Sequence, residues 1–272
     1  MISTVEVHGH RGARGLRPEN TLPGFSHALD LGVDAVELDV GLSSDGTVVL
    51  NHDQTLLPRN LTDTGPAQPD DPAFPYVGKP IRELTLAQLR TVDAGAGAGI
   101  PTLAEACTLL ASTDVALSVE LKTDPEWTDE EVALFTAAVA DVLRSHGVTG
   151  RARLLAFDWR VLTEAADHYP DLGRVALIER KTLVADTAWL AGLSPADPVA
   201  AALAIGATAL SPEHAITTPD LVDAAHALAL PVIVWTVNDY EDMTRFIKYG
   251  VDAIVTDYPD RLQSILAATP TP

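Results

Sequence analysis

The amino-acid sequence predicts an α/β fold, a single (β/α)8 TIM barrel over residues 1–272. Eight short apolar, β-branched segments alternate with helical patterns, which is typical of a parallel sheet wrapped by helices. The length of 272 residues fits one barrel. The composition, 47% hydrophobic but only 5% aromatic, favours a core of Ala, Val and Leu. No internal repeat or interdomain linker interrupts the pattern.

The eight barrel strands are expected at regular intervals along the chain. They are Val5–His10, Ala35–Val40, Val115–Leu121, Ala152–Phe157, Arg174–Ile178, Ala207–Leu210, Val232–Thr236 and Ala253–Thr256.

A ninth extended segment, Thr47–His52, follows the second strand after only a few residues. A parallel crossover needs about a dozen residues or more, whereas Asp45-Gly46 is a strong hairpin signal. We therefore predict a β-hairpin extension of strand two above the barrel mouth. Folding back at Asp45 brings His52 opposite Asp39.

The segment at about 54–101 is longer than one crossover helix requires. It begins with the Pro- and Asp-rich residues 58–80 and ends before a helix that starts near Thr102. We predict an insertion after strand two that covers one side of the mouth and decides which alcohol is accepted. Thr102 and Glu105 have the spacing of a capping box.

Charge and cysteine content limit the partners and the compartment. A formal net charge of −20 opposes binding to nucleic acid and anionic lipid, and no apolar run reaches the roughly 18 residues of a membrane span. Cys107 is the single cysteine, so no intramolecular disulfide forms. Without a secretory signal before the first strand, the expected location is cytoplasmic. Homo-oligomerisation is left open.

Ionisable side chains follow four neighbouring segments, at the end of the barrel where active sites lie. These segments end in His10-Arg11, Glu37-x-Asp39, His52 and Glu120-x-Lys122. Side chains two apart on a strand share a face, so Glu37 should point with Asp39 and Glu120 with Lys122.

The three carboxylates Glu37, Asp39 and Glu120 predict a metal site. Converging carboxylates repel each other unless a positive charge lies between them, and an all-oxygen site favours a hard cation, Ca²⁺ or Mg²⁺. The alternative is that one or more of them pairs with Arg11 or Lys122.

Two histidines beside this site supply the acid and the base that a phosphodiester displacement needs. We predict that His10 and His52 are this catalytic pair. Arg11 and Lys122 can bind non-bridging phosphate oxygens, or each can be a structural ion-pair partner.

The motifs, taken in order, resemble those of the glycerophosphodiester phosphodiesterase family, within the phospholipase C-like phosphodiesterase superfamily, and extend across nearly the whole chain. They are His10-Arg11-Gly12, Pro18-Glu19-Asn20-Thr21, Glu37-x-Asp39-Val40, Asp45-Gly46, His52-Asp53, Leu84-Thr85-Leu86, Ile100-Pro101-Thr102-Leu103-x-Glu105, Glu120-x-Lys122, Trp235-Thr236-Val237-Asn238 and Thr256-Asp257-Tyr258-Pro259.

The resemblance implies hydrolysis of a small-molecule glycerophosphodiester to sn-glycerol 3-phosphate and an alcohol, a reaction of glycerol and lipid metabolism. It implies Ca²⁺ or Mg²⁺ as cofactor and shared acid and base roles for His10 and His52. Either water or the substrate's own glycerol hydroxyl attacks phosphorus. Trp235 and Phe157, at the ends of strands seven and four, would pack against the substrate unless they belong to the core.

Four neighbouring residues are assigned to the surroundings of the site. Asn20 or Thr21 can cap the first helix, and Glu19 can lie next to the metal ligands. His8, on the same face as His10, either adds polarity beneath the site or is buried and hydrogen-bonded.

Three other functions fit parts of the pattern. His8-x-His10 also begins the metal site of metal-dependent amidohydrolases, but such zinc sites need further imidazoles on later strands, where this chain has none. A phosphate-binding protein would not require the histidine pair. A lysophospholipase D-like enzyme on the same barrel would need an apolar channel or lid, which the sequence does not show.

Overall fold

Eleven strands are present in residues 5–185 and 187–268, the part of the chain that the computed structural model describes. They are β1 Glu6–Gly9, β2 Ala35–Leu42, β3 Val48–Leu50, β4 Thr62–Asp63, β5 Val92–Asp93, β6 Ala116–Leu121, β7 Ala152–Ala156, β8 Gly173–Ile178, β9 Ala209–Pro212, β10 Ile233–Val234 and β11 Ala253–Thr256.

Eight of these strands form the barrel and run parallel to one another, in the order β10-β11-β1-β2-β6-β7-β8-β9. Two parallel bridges, Leu210–Val232 and Glu213–Trp235, join the two ends of this order. The predicted TIM barrel is therefore confirmed, with a strand at each of the eight expected places.

The observed strand boundaries differ most from the predicted ones at β9 and β10. Ala207 lies outside β9 because its N–H donates to the Ala202 carbonyl and so finishes the preceding helix. Val232 lies outside β10 because its N–H donates to the Asp252 carboxylate, at 2.7 Å, and not to a strand.

Helices connect the strands and cover the outside of the barrel. They are α1 Leu22–Leu31, α2 Leu86–Leu89, α3 Leu103–Leu110, α4 Asp129–Ser145, α5 Trp159–His168, α6 Pro198–Ala204, α7 Pro219–Ala227, α8 Tyr240–Tyr249 and α9 Pro259–Ala268. Thr102 and Glu105 form the expected capping box of α3. Among the helices in the described ranges, none combines the length and the apolarity of a membrane span.

The extension after β2 has a small core of its own. Strand β3 pairs antiparallel with β2, with Val40 opposite Leu50. The side of β3 away from the main core adds Val49 to an apolar cluster built by residues 56–100. That cluster contains Val49, Leu56, Leu61, Tyr76, Ile81, Leu84, Leu89, Val92, Ala94 and Ile100. At the rim, the Asn60 amide donates to Glu19 at 3.2 Å.

The inside of the barrel is divided into an apolar and a polar part. Strands β7 to β11 contribute an apolar cluster of Leu155, Val175, Leu177, Ala209, Ile233, Ala253 and Val255, with Phe157 and Trp235 packed against it. Strands β2 and β6 carry Glu37, Asp39 and Glu120, and the other predicted ionisable residues directly follow β1 and β6 or lie just after β3. The fold thus places the charged groups on and around three adjacent barrel strands.

Candidate active site

A cavity of about 250 Å³ opens at the carboxyl ends of the barrel strands. Eight of the nine predicted site residues line it, namely His10, Arg11, Glu37, His52, Glu120, Lys122, Phe157 and Trp235. The ninth, Asp39, is 1% exposed and contacts Arg11 and Lys122. A larger cavity of about 680 Å³ at the opposite end of the strands, around Arg153 and Asp252, contains none of the nine.

The three predicted metal ligands converge beneath this cavity. Each of Glu37, Asp39 and Glu120 offers a carboxylate oxygen, and the three oxygens lie within 4.8 Å of one another. The strand register explains part of this, since Asp39 lies directly beside Glu120 on the neighbouring strand. Glu37 Oε1 is buried without a hydrogen-bond partner in the described part of the chain.

Two cations lie against these carboxylates. Arg11 Nε is 3.1 Å from Asp39 Oδ2, and Lys122 Nζ is 3.0 Å from Asp39 Oδ1 and 2.5 Å from Glu120 Oε1. The ion pairs considered as an alternative are therefore present. Two cations against three carboxylates still leave negative charge in excess.

The pKa shifts show which carboxylates carry this excess of negative charge. Burial raises the pKa of Glu37 well above its usual value, and the nearby Asp39 and Glu120 raise it further. Burial also raises the pKa of Glu120 to about 7, although Lys122 opposes the shift. Burial alone would raise the pKa of Asp39, but Lys122 and Arg11 hold it below its usual value. Ionisation of Glu37 and Glu120 therefore costs free energy.

Asn20 has a different role from the helix cap that the sequence allowed for it. Thr21 caps α1 by accepting from the Gly24 N–H at 3.2 Å. Asn20 donates its amide to Asp39 Oδ2 at 2.8 Å and accepts the Asp39 N–H at 3.1 Å. It adopts φ 54°, a left-handed conformation that asparagine tolerates better than most residues. Asn20 therefore orients a predicted metal ligand.

The loop after β1 carries the charged groups that surround the carboxylates. The Arg11 N–H donates to Glu37 Oε2 at 2.8 Å, and the Arg11 guanidinium donates to Glu19 at 2.9 Å. Glu19 thus contacts Arg11, which in turn contacts Asp39.

His10 and His52 both contact an aspartate through Nδ1. His10 Nδ1 is 2.6 Å from Asp257 Oδ1, and its Nε2 is 3.9 Å from Glu37 Oε2. His52 Nδ1 is 3.1 Å from Asp53 Oδ1. Burial lowers the pKa of His10 in spite of the bond to Asp257, and it lowers the pKa of His52 to about 4 in spite of Asp39. Burial therefore disfavours the charged form of both rings.

His8 lies outside the cavity. It is 1% exposed, and its Nε2 is 2.9 Å from Glu6 Oε2. Of the two roles considered from the sequence, this geometry matches a buried, hydrogen-bonded side chain.

Phe157 and Trp235 form one wall of the cavity. Their rings meet edge to face, with centroids 5.5 Å apart and an interplanar angle of 75°. The Trp235 indole N–H donates to the Ser211 carbonyl at 2.9 Å, which fixes the ring. An apolar surface therefore faces the charged side of the cavity.

Sequence reasoning gave no role to four charged residues of the site. Arg14, Glu179 and Lys181 line the cavity, and Asp257 bonds to His10. Glu179 directly follows β8, so the rule that strand ends carry the site points to it. The insertion at about 54–101, by contrast, contributes no residue to the cavity lining, so the expectation that it decides the alcohol is not supported.

Gly9 is required by the tight turn that holds His10 and Arg11. A Cβ at Gly9 would lie 2.0 Å from the Gly12 carbonyl oxygen, a backbone atom. We expect Gly9→Ala to lower the free energy of unfolding by about 3 kcal/mol, measured by urea denaturation. Gly150→Ala is the matched control, since a Cβ there meets nothing within 4 Å. Equal stability of the two variants would contradict this account of the turn.

A family model and a sequence relative each match nearly the whole chain. Residues 10–261 match the model of the Glycerophosphoryl diester phosphodiesterase family. The chain is 29% identical over 269 residues to a glycerophosphodiester phosphodiesterase of Caldanaerobacter subterraneus subsp. tengcongensis, covering 96% of this chain and 97% of the relative.

Solved structures agree with this match. A Silicibacter pomeroyi DSS-3 protein, provisionally assigned as a glycerophosphoryl diester phosphodiesterase, is 33% identical with a TM-score of 0.86, covering 97% of this chain and 94% of that one. An Oleispira antarctica phosphodiesterase in complex with the product sn-glycerol-3-phosphate is 26% identical with a TM-score of 0.79, covering 97% of each chain.

Proposed function

Because the chain belongs to the glycerophosphoryl diester phosphodiesterase family, we propose that it is an enzyme that hydrolyses glycerophosphodiesters to sn-glycerol 3-phosphate and an alcohol. One observation carries the proposal: two histidines, two cations and three carboxylates meet around one cavity of about 250 Å³. The product that the Oleispira antarctica relative binds is the one expected from this reaction.

The three carboxylates suit one divalent cation, Ca²⁺ or Mg²⁺, held by Glu37, Asp39 and Glu120. Their oxygens lie within 4.8 Å of one another, Glu37 Oε1 is buried without a hydrogen-bond partner among the described residues, and an all-oxygen donor set is the one that these ions prefer. When bound, the ion supplies Lewis-acid polarisation of the phosphate.

Arg11 and Lys122 serve the anionic substrate as well as the carboxylates. Both line the cavity and both keep their charge, since Asp39 beside them raises their pKa despite burial. We assign them the non-bridging phosphate oxygens, Arg11 through its planar fork and Lys122 as a point charge. They provide local positive charge in a protein whose net charge is −20.

His10 and His52 move the protons. One ring takes the proton of the attacking hydroxyl, from water or from the substrate's glycerol, and the other gives a proton to the leaving alcohol oxygen. In each ring Nδ1 contacts an aspartate, which leaves Nε2 for the substrate. The ring that acts as base enters the reaction neutral at Nε2, and the ring that acts as acid enters it protonated there; proton exchange with water then returns both rings to these states.

Trp235 and Phe157 hold the organic part of the substrate. We expect Trp235→Ala to raise KM about 10-fold, because a tenfold weaker affinity corresponds to about 1.4 kcal/mol of lost apolar contact. Steady-state kinetics measure this change, and Trp235→Phe should recover most of it. Trp127→Ala is the control, since Trp127 packs against Phe135 away from the cavity. An unchanged KM in Trp235→Ala would remove Trp235 from the binding site.

The proposed activity is tested by release of glycerol 3-phosphate from the choline, ethanolamine, glycerol and inositol diesters, each with and without Ca²⁺ or Mg²⁺. Lysolipids in the same panel test the lysophospholipase D-like alternative. Release from at least one soluble diester is expected, and no release from any of them would overturn the proposal. The chain is taken to act as one domain, residues 1–272.

A further inference from the structure

We propose that Asp257 is the positioning residue that fixes His10 in the tautomer needed for proton transfer, an inference whose kinetic test rests on the proposed function. Asp257 directly follows β11, and β11 pairs with β1 so that Thr256 lies beside Gly9. This register places the Asp257 carboxylate next to the ring of His10. Asp257 Oδ1 and His10 Nδ1 are 2.6 Å apart.

The Asp257 carboxylate is itself held on every side by donors. Arg14 Nε lies 2.9 Å from Oδ1, and the Asn238 amide donates to Oδ2 at 2.8 Å. The Asp257 N–H donates back to Asn238 Oδ1 at 2.9 Å. Burial alone would raise the pKa of Asp257, but His10, Arg14 and Asn238 lower it to about 2. Asp257 therefore accepts and does not donate.

This arrangement decides which nitrogen of His10 carries the proton. An ionised carboxylate can only accept, so the hydrogen of the His10–Asp257 bond belongs to Nδ1. In a neutral imidazole the other nitrogen then has a free lone pair. His10 Nε2 lies on the Glu37 side of the ring, 3.9 Å from Oε2, so the lone pair is available to a hydroxyl in the cavity.

The corresponding pair at His52 is looser. The His52–Asp53 distance is 3.1 Å, and the other Asp53 oxygen contacts Arg59, whose side chain is 57% exposed. The Asp257 side chain is only 9% exposed and His10 12%. His10 is therefore the more firmly oriented ring of the two.

Asp257→Asn tests this positioning role, because no orientation of the asparagine amide can accept from all the donors around it. Its NH₂ group must face either the His10 and Arg14 donors or the Asn238 donor, so one side always loses its acceptor. We expect kcat to fall about 100-fold while KM changes less than about threefold. In ¹⁵N-histidine NMR, wild-type His10 should show the Nδ1–H tautomer, and the variant should show a population of the Nε2–H form.

Asp252→Asn is the matched control. Asp252 also contacts a histidine, His226, at 2.8 Å, but it precedes β11 and lines the cavity at the opposite end of the barrel. The kcat of Asp252→Asn should stay within about twofold of the wild-type value.

Two results would overturn the proposal: wild-type His10 in the Nε2–H form, or Asp257→Asn with wild-type kcat. The tautomer of the wild-type ring is read without any variant, so the test survives a variant that fails to fold. The NMR measurement also tests the orientation of His10 if the wild-type protein cleaves no glycerophosphodiester. That absence of cleavage would refute only the proposed function.

Discussion

His10→Ala and His52→Ala are each expected to lower kcat about 10³-fold, because a positioned acid or base contributes roughly 10²–10⁴-fold to proton transfer. His10 is held by Asp257 and faces Glu37, and His52 approaches Asp39 through the hairpin, where the Asn51 N–H donates to the Asp39 carbonyl. Neither ring belongs to the hydrophobic core. Release of glycerol 3-phosphate under saturating substrate measures the effect.

The matched control for both variants is His168→Ala. His168 is 62% exposed on α5 and contacts Glu164 at 3.7 Å, so its loss should leave kcat unchanged. Thermal unfolding curves show whether each variant folds. A folded His10→Ala or His52→Ala enzyme with near wild-type turnover would refute the acid–base assignment.

Removal of divalent cations is expected to abolish turnover, and addition of Ca²⁺ or Mg²⁺ to restore it. The physical reason is the excess of three carboxylates over two cations in a buried cluster. Glu120→Gln retains the size of the side chain but removes one charge, so we expect the metal concentration for half-maximal activity to rise at least about 10-fold. Titration of chelated enzyme with each metal measures this concentration.

Glu241→Gln provides the control for loss of a carboxylate. Glu241 lies exposed in the first turn of α8, so the metal requirement of this variant should match that of the wild type. Full turnover of chelated wild-type enzyme would contradict the metal assignment of Glu37, Asp39 and Glu120.

Sequence patterns predicted the barrel and the residues of its charged side well, because both depend on short-range periodicity. The two-residue repeat on a strand places Glu37 with Asp39 and Glu120 with Lys122, and the position of strand ends brings those segments to one rim. All eight barrel strands follow from the alternation of short apolar, β-branched segments with helical patterns.

Two of the roles that sequence reasoning missed depend on contacts between separate segments. The Asp257–His10 bond joins residues 247 positions apart, and it follows from the pairing of the last strand with the first. Asn20 was considered only as a local helix cap, whereas its amide reaches Asp39 on the next strand. The insertion was expected at the cavity because of its length, but its apolar residues pack into a separate core.

The division of the barrel interior has a consequence for how such an enzyme can diverge. The groups proposed for proton transfer and metal binding project from β1, β2, β6 and the hairpin, while the apolar wall projects from β7 to β11. Under the proposed function, we expect substitutions in the wall, at Phe157, Leu177 or Trp235, to change the shape offered to the substrate while leaving the carboxylates in place. We therefore expect the choice of substrate and the rate of bond cleavage to vary largely independently among such enzymes.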